Sequence, residues 1–140
     1  MKKIITILFI SILLISIASV SLAYPDPANK TSLPYDSTFS FKQSVTTKYC
    51  YVPDSGSLDL DISDIKMENS KSATLNAQSC YYISSTGKWG SGGTQKVSIT
   101  NGSAADTTKS YNVVSGRTYC MRFSKSDYTS LKVSASFSIY

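Results

Sequence analysis

The chain reads as an all-β protein, an antiparallel two-sheet sandwich of about eight short strands. Three observations carry that expectation. Apolar residues alternate with polar ones along most of the mature part, as they do on a pleated strand with one wet face. Turn-forming Gly, Asn, Asp, Ser and Pro punctuate those runs at short intervals. The helical period is nearly absent once the first segment is set aside.

That first segment is a leader. Lys2 and Lys3 precede a run, residues 4–17, of almost pure Ile, Leu and Phe broken by Thr6, Ser11 and Ser16. Ser21 and Ala23 then supply small side chains at the −3 and −1 positions of a signal-peptidase site. Cleavage is therefore expected before Tyr24, which makes 1–23 a signal peptide and the product secreted and extracellular. An uncleaved anchor is the competing reading, since 4–22 nearly spans a bilayer. No second apolar run of that length follows, so no stable membrane span is expected after cleavage.

Residues 24–36 hold three of the four prolines and read as an extended N-terminal leader strip, with the sandwich domain at 37–140. Phe39 and Phe41 alternate with Ser40 and Lys42. Segment 47–52 is a short β-rich run ending at Pro53, and Asp54, Ser55 and Gly56 form a turn. Leu58, Leu60 and Ile62 alternate with Asp59, Asp61 and Ser63, which puts aliphatics on one face and acids on the other. Segment 65–71 is less regular, a loop or a single helical turn. Segments 73–77 and 80–84 are strand candidates. Segment 86–94, with Gly87, Gly90, Gly92 and Gly93, reads as a loop. A strand with Val97 and Ile99 follows, then the Asn101-Gly102 turn. Segment 110–114 leads to a turn at Ser115-Gly116. Tyr119, Met121 and Phe123 mark a further strand, and Leu131, Val133, Ala135, Phe137 and Ile139 alternate without exception in the last.

Composition excludes some chemistry. The chain has no histidine, so a Ser-His-Asp or Cys-His arrangement is impossible. The only glutamate is Glu68, and no phosphate-cradling glycine motif is present. The protein is therefore expected not to be an enzyme; Asp59 and Asp61, on one strand face, would be the place to look if it were. Removing Lys2 and Lys3 takes Lys+Arg from 14 to 12 against 9 Asp+Glu, a net +3. The lysines are scattered singly rather than striped, so no nucleic-acid partner is expected. Calcium is the one cofactor with candidate ligands, Asp54, Asp59, Asp61 and Asp64, although turn and solvent-facing positions explain these acids more simply.

Trp89 is the clearest binding candidate. It sits in a polar, glycine-rich stretch beside Lys88, where an indole can stack on a sugar ring or enter a partner's pocket. The competing reading is that this stretch folds back and Trp89 caps the core. Tyr81 and Tyr82 are adjacent, so on a strand they point oppositely, one to the core and one to the surface. The candidate ligand-binding set is Trp89, Tyr81 and Lys88. Cys50, Cys80 and Cys120 are an odd number at long spacing, which argues against a zinc site and leaves at least one unpaired within the chain.

Four stretches carry a family resemblance. They are Tyr49-Cys50-Tyr51-Val52-Pro53-Asp54-Ser55-Gly56-Ser57-Leu58-Asp59-Leu60, then Cys80-Tyr81-Tyr82-Ile83-Ser84-Ser85-Thr86-Gly87-Lys88, then Val114-Ser115-Gly116-Arg117-Thr118-Tyr119-Cys120-Met121-Arg122-Phe123, and the closing alternating strand. Together they resemble the bacterial pre-peptidase C-terminal domain, over about half of the mature chain. The resemblance implies a jelly-roll-like sandwich and a non-catalytic accessory or binding role; some relatives bind collagen or other matrix polymers. It also implies that Cys50, Cys120 and Cys80 lie on the second, seventh and fourth strands, with Cys120 in the middle. A disulfide from Cys120 to Cys50 or to Cys80 is then within reach, with buried free thiols as the alternative.

The function expected is that of a small secreted binding module for an extracellular polysaccharide, peptidoglycan, a matrix protein or another cell-surface ligand. An envelope-active antimicrobial or toxin-like protein and a coat or matrix protein are the alternatives, and the oligomeric state is left open.

Overall fold

The structure is a computed structural model that describes residues 23–140. The expected signal peptide, apart from Ala23, lies outside the described residues. Among those described, no helix is long and apolar enough to cross a membrane.

Eight strands form two four-stranded antiparallel sheets. They are β1 (Tyr35–Phe41), β2 (Ser44–Thr46), β3 (Ser57–Met67), β4 (Ala73–Ile83), β5 (Lys88–Ile99), β6 (Thr107–Asn112), β7 (Tyr119–Ser124) and β8 (Val133–Ile139). The first sheet runs β1-β8-β3-β6 and the second β2-β7-β4-β5. Successive strands thus alternate between the sheets except for the β4–β5 hairpin, the strand order of a jelly roll. The expected two-sheet sandwich of about eight strands is what the chain forms.

The alternating residues fill the space between the sheets. Leu58, Leu60 and Ile62 of β3 and Val133, Ala135, Phe137 and Ile139 of β8 face Leu75, Ala77, Val97, Ile99, Met121 and Phe123 of the second sheet, all buried. Aromatic rings tie the layers. Phe123 of β7 sits 4.4 Å from Phe39 of β1 and 5.2 Å from Phe137 of β8, ring centre to ring centre. Such pairs add about 0.5–1.5 kcal/mol each beyond area burial.

Three local readings change. The β-rich run at 47–52 is not one strand: β2 ends at Thr46, and Cys50 and Tyr51 make isolated bridges to Lys30 and Tyr119. The irregular stretch after Ser63 is strand interrupted by a bulge. Asp64 takes a positive φ of 52°, the β3–β8 register slips between Ser63 and Lys66, and Ile65 and Met67 return to the core. A single tight turn, Glu68–Ser70, follows, as expected.

The third change is the largest. The glycine-rich stretch 86–94 is not a loop, because most of it belongs to β5, paired with β4 through Trp89, Gly90 and Ser91. Its glycines make room rather than slack. A Cβ on Gly90 would lie 2.6 Å from the Tyr81 ring, and one on Gly92 would lie 2.8 Å from the Ser79 carbonyl. Segment 24–36 is likewise held. Asn29 and Thr31 exchange backbone hydrogen bonds with Cys50, and Tyr35 and Asp36 already belong to β1.

Candidate functional site

The outer face of the first sheet carries a shallow concave surface. Register builds it row by row. Asp36 of β1, Ser138 of β8, Asp61 of β3 and Thr108 of β6 stand side by side across four strands. The next row is Thr38, Ser136 and Ser63. Each is the polar member of an alternating pair whose partner is in the core, so the pattern that builds the sandwich also coats its outside with hydroxyls and carboxylates. With Asp106 beyond β6, these residues line a shallow cleft of about 740 Å³ that has no Lys or Arg in its lining.

Asp61 is the centre of this face. One carboxylate oxygen accepts from the Thr108 hydroxyl at 2.5 Å and the other from the Tyr140 hydroxyl at 3.1 Å. Tyr140 remains 48% exposed, so its ring offers a flat apolar surface next to the carboxylates. Asp61 holds the Tyr140 phenol above its usual pKa by accepting its proton as a hydrogen bond. Across the sheet the Asp106 carboxylate accepts from the Asp64 backbone N–H at 3.3 Å, anchoring the cleft's rim at the bulge.

The residues singled out by sequence lie elsewhere, and the structure does not gather them. Trp89 is half-buried on the outer face of the second sheet, in a strand rather than a loop. One side of its indole stacks on Tyr24 at 5.4 Å and 13°, and Tyr82 leans on it at 5.6 Å. Tyr81 points the other way, edge-on to buried Tyr119, with the Arg117 guanidinium 4.9 Å above its ring. Lys88 is exposed at the start of β5. Among the other tyrosines, Tyr128 is exposed, Tyr24 is half-buried and Tyr35 is core.

The calcium candidates are dispersed. Asp54 is in a turn, Asp59 and Asp61 are on β3, and Asp64 is in the bulge. Among the described residues no three His, Cys, Asp or Glu side chains gather as a cation needs.

The cysteines form a second cluster. Cys80 on β4 is directly opposite Cys120 on β7. Cys50 lies just beyond β2 instead of on it, next to the Tyr51–Tyr119 bridge. All three are free thiols with 0% exposure, so no disulfide joins Cys120 to either neighbour in this state.

The sequence could have revealed the first-sheet face through the Ser/Thr/Asp members of its alternating strands, but only register brings Asp36 and Asp61 into one row. Comparison with known proteins finds no matching family model, no matching curated protein and no matching solved structure.

Proposed function

We propose that this protein is an exported, non-catalytic module that binds a neutral polyhydroxylated polymer, an extracellular glycan, on the outer face of its first sheet. The cross-strand row Asp36, Ser138, Asp61 and Thr108, with Tyr140 beside it, carries this reading. Sugar hydroxyls are hydrogen-bond donors that carboxylates accept well, and a flat phenol ring stacks on the apolar face of a pyranose. The cleft is long and open rather than enclosed, which suits a chain passing across it. Its lack of lysine and arginine disfavours an anionic polymer. Export rests on the pattern of residues 1–23, and the accessory role accords with the resemblance to the pre-peptidase C-terminal domain.

Pull-down on insoluble cellulose, chitin, peptidoglycan and collagen tests the site. Asp61→Ala and Tyr140→Ala should each weaken retention on a polysaccharide by about tenfold or more, the scale of a lost charge-assisted hydrogen bond. Trp89→Ala should leave retention unchanged. Loss with Trp89→Ala and none with Asp61→Ala would move the site to the second sheet; retention on collagen alone would replace the glycan with a matrix protein.

A further inference from the structure

The three cysteines stand in one line, and nothing in the proposed binding face uses them. Cys80 faces Cys120 across β4 and β7, and the Tyr51–Tyr119 bridge, followed back one residue, sets Cys50 opposite Cys120 from the other side. Directly opposed residues project to the same face. Here it is the outer face of the second sheet, where a side chain ordinarily meets water, yet each thiol is 0% exposed.

The cover is the strip 24–30. Its Tyr24 ring crosses to stack on Trp89, the Asp26 carbonyl accepts from the Cys50 thiol at 3.4 Å, and the Asn29 carbonyl accepts from the Cys50 backbone N–H at 3.0 Å. The strip is a strap laid over a row of sulfurs.

Geometry separates the two neighbours of Cys120. The Tyr82 N–H donates to the Thr118 carbonyl at 2.9 Å, which marks that opposed pair as hydrogen-bonded; two residues along, Cys80 and Cys120 occupy the same kind of position. Such pairs have Cα atoms about 5.5 Å apart, within the range a disulfide spans. The Cys80 thiol makes only long contacts, to the Gln78 carbonyl at 3.9 Å and the Gln78 side-chain oxygen at 4.0 Å, whereas the Cys50 thiol donates to the Asp26 carbonyl at 3.4 Å.

We infer that Cys80 and Cys120 are an oxidisable cross-strand dithiol that closes by exchange with a disulfide-bearing oxidant when the strap lifts, and that Cys50 is a third thiol able to take over the bond to Cys120. In the first step a Cys80 thiolate attacks the oxidant's S–S bond, forms a mixed disulfide and expels one thiolate. Cys120 then attacks Cys80 Sγ. The Sγ–Sγ bond forms, the second thiolate leaves, and two electrons and two protons have passed to the oxidant, which departs as two thiols. The neighbouring Cys120 thiol, as a donor, holds the Cys80 thiol below its usual range, while Cys80 and burial push Cys120 up, so Cys80 is the one to react first.

Peptide mapping tests this. The folded protein is incubated with oxidised glutathione, denatured, alkylated and digested. The expected product has Cys80 linked to Cys120 and Cys50 alkylated. Cys50→Ser should keep the link; Cys80→Ser should shift it to Cys50–Cys120. Tyr24→Ala should speed the reaction on the order of tenfold, because opening of the strap limits access. Trp89→Ala, which removes the other half of that stack, should do the same if Tyr24→Ala does not fold. Three alkylated thiols throughout, a Cys50–Cys80 link, or links only between chains would overturn the dithiol; an unchanged rate in both strap variants would overturn the gate.

Discussion

Tyr51 lies fully buried with a hydroxyl that has no hydrogen-bond partner. A buried donor left unpaired costs about 1–3 kcal/mol, and removing it recovers part of that. Tyr51→Phe should therefore raise the unfolding free energy by about 1 kcal/mol, read from the denaturation midpoint at constant slope. Cys50 makes a different kind of prediction. Burial, helped by the Asp26 carboxylate, pushes its thiol up to about 11. In the unfolded chain the same thiol loses its proton near pH 8.5, so between the two values the unfolded state binds fewer protons than the folded one. Stability is thus intact below about pH 8.5 and declines as pH rises toward 11, and thermal melts of Cys50→Ser should show a shallower decline. At this scale the sequence was a partial guide. The family resemblance implied that Cys50 and Cys120 are neighbours; they share the outer face and are dry because residues more than twenty positions away lie over them. Trp89 was read as loop-borne for want of the one fact composition does not contain, that Tyr24 is its stacking partner.

Among the strands, β8, β7 and the first half of β3 were legible because their apolar residues recur at every second position, with that face in the core. β5 was not, because its first half has no apolar alternation and five of its first six residues are Lys, Gly or Ser. What makes it a strand is its neighbour: Tyr81 and Ser79 of β4 occupy the space that side chains on Gly90 and Gly92 would need. Gly92→Ala should accordingly cost about 1–3 kcal/mol in chemical denaturation, the scale of an overpacked contact, since the Ser79 backbone is too close to yield. A flexible loop would absorb the same methyl at no measurable cost. The bulge at Asp64 was half legible. The apolar pattern breaks its step between Ile62 and Ile65, which signals an irregularity but not that pairing resumes beyond it.

For the molecule as a whole, strand number and class followed from the pattern of alternation, while the pairing order did not. Which strands neighbour one another depends on contacts far apart in the chain, and the acidic row across the first sheet exists only through them. Oxidation should act at this scale too. A Cys80–Cys120 bond closes a loop of about 40 residues and, on the chain-entropy account, stabilises the fold by about 4 kcal/mol, so the oxidised protein should melt well above the reduced one in calorimetry. The position of β8 has a further consequence. It is the last strand to be synthesised, yet it sits between β1 and β3 inside a sheet instead of at an edge. Until β8 is in place, both of those strands hold open rows of backbone donors and acceptors, so closing this sheet depends on contacts far apart in the sequence. The first sheet is therefore completed from its middle, by the one strand that β1 and β3 both need as a neighbour.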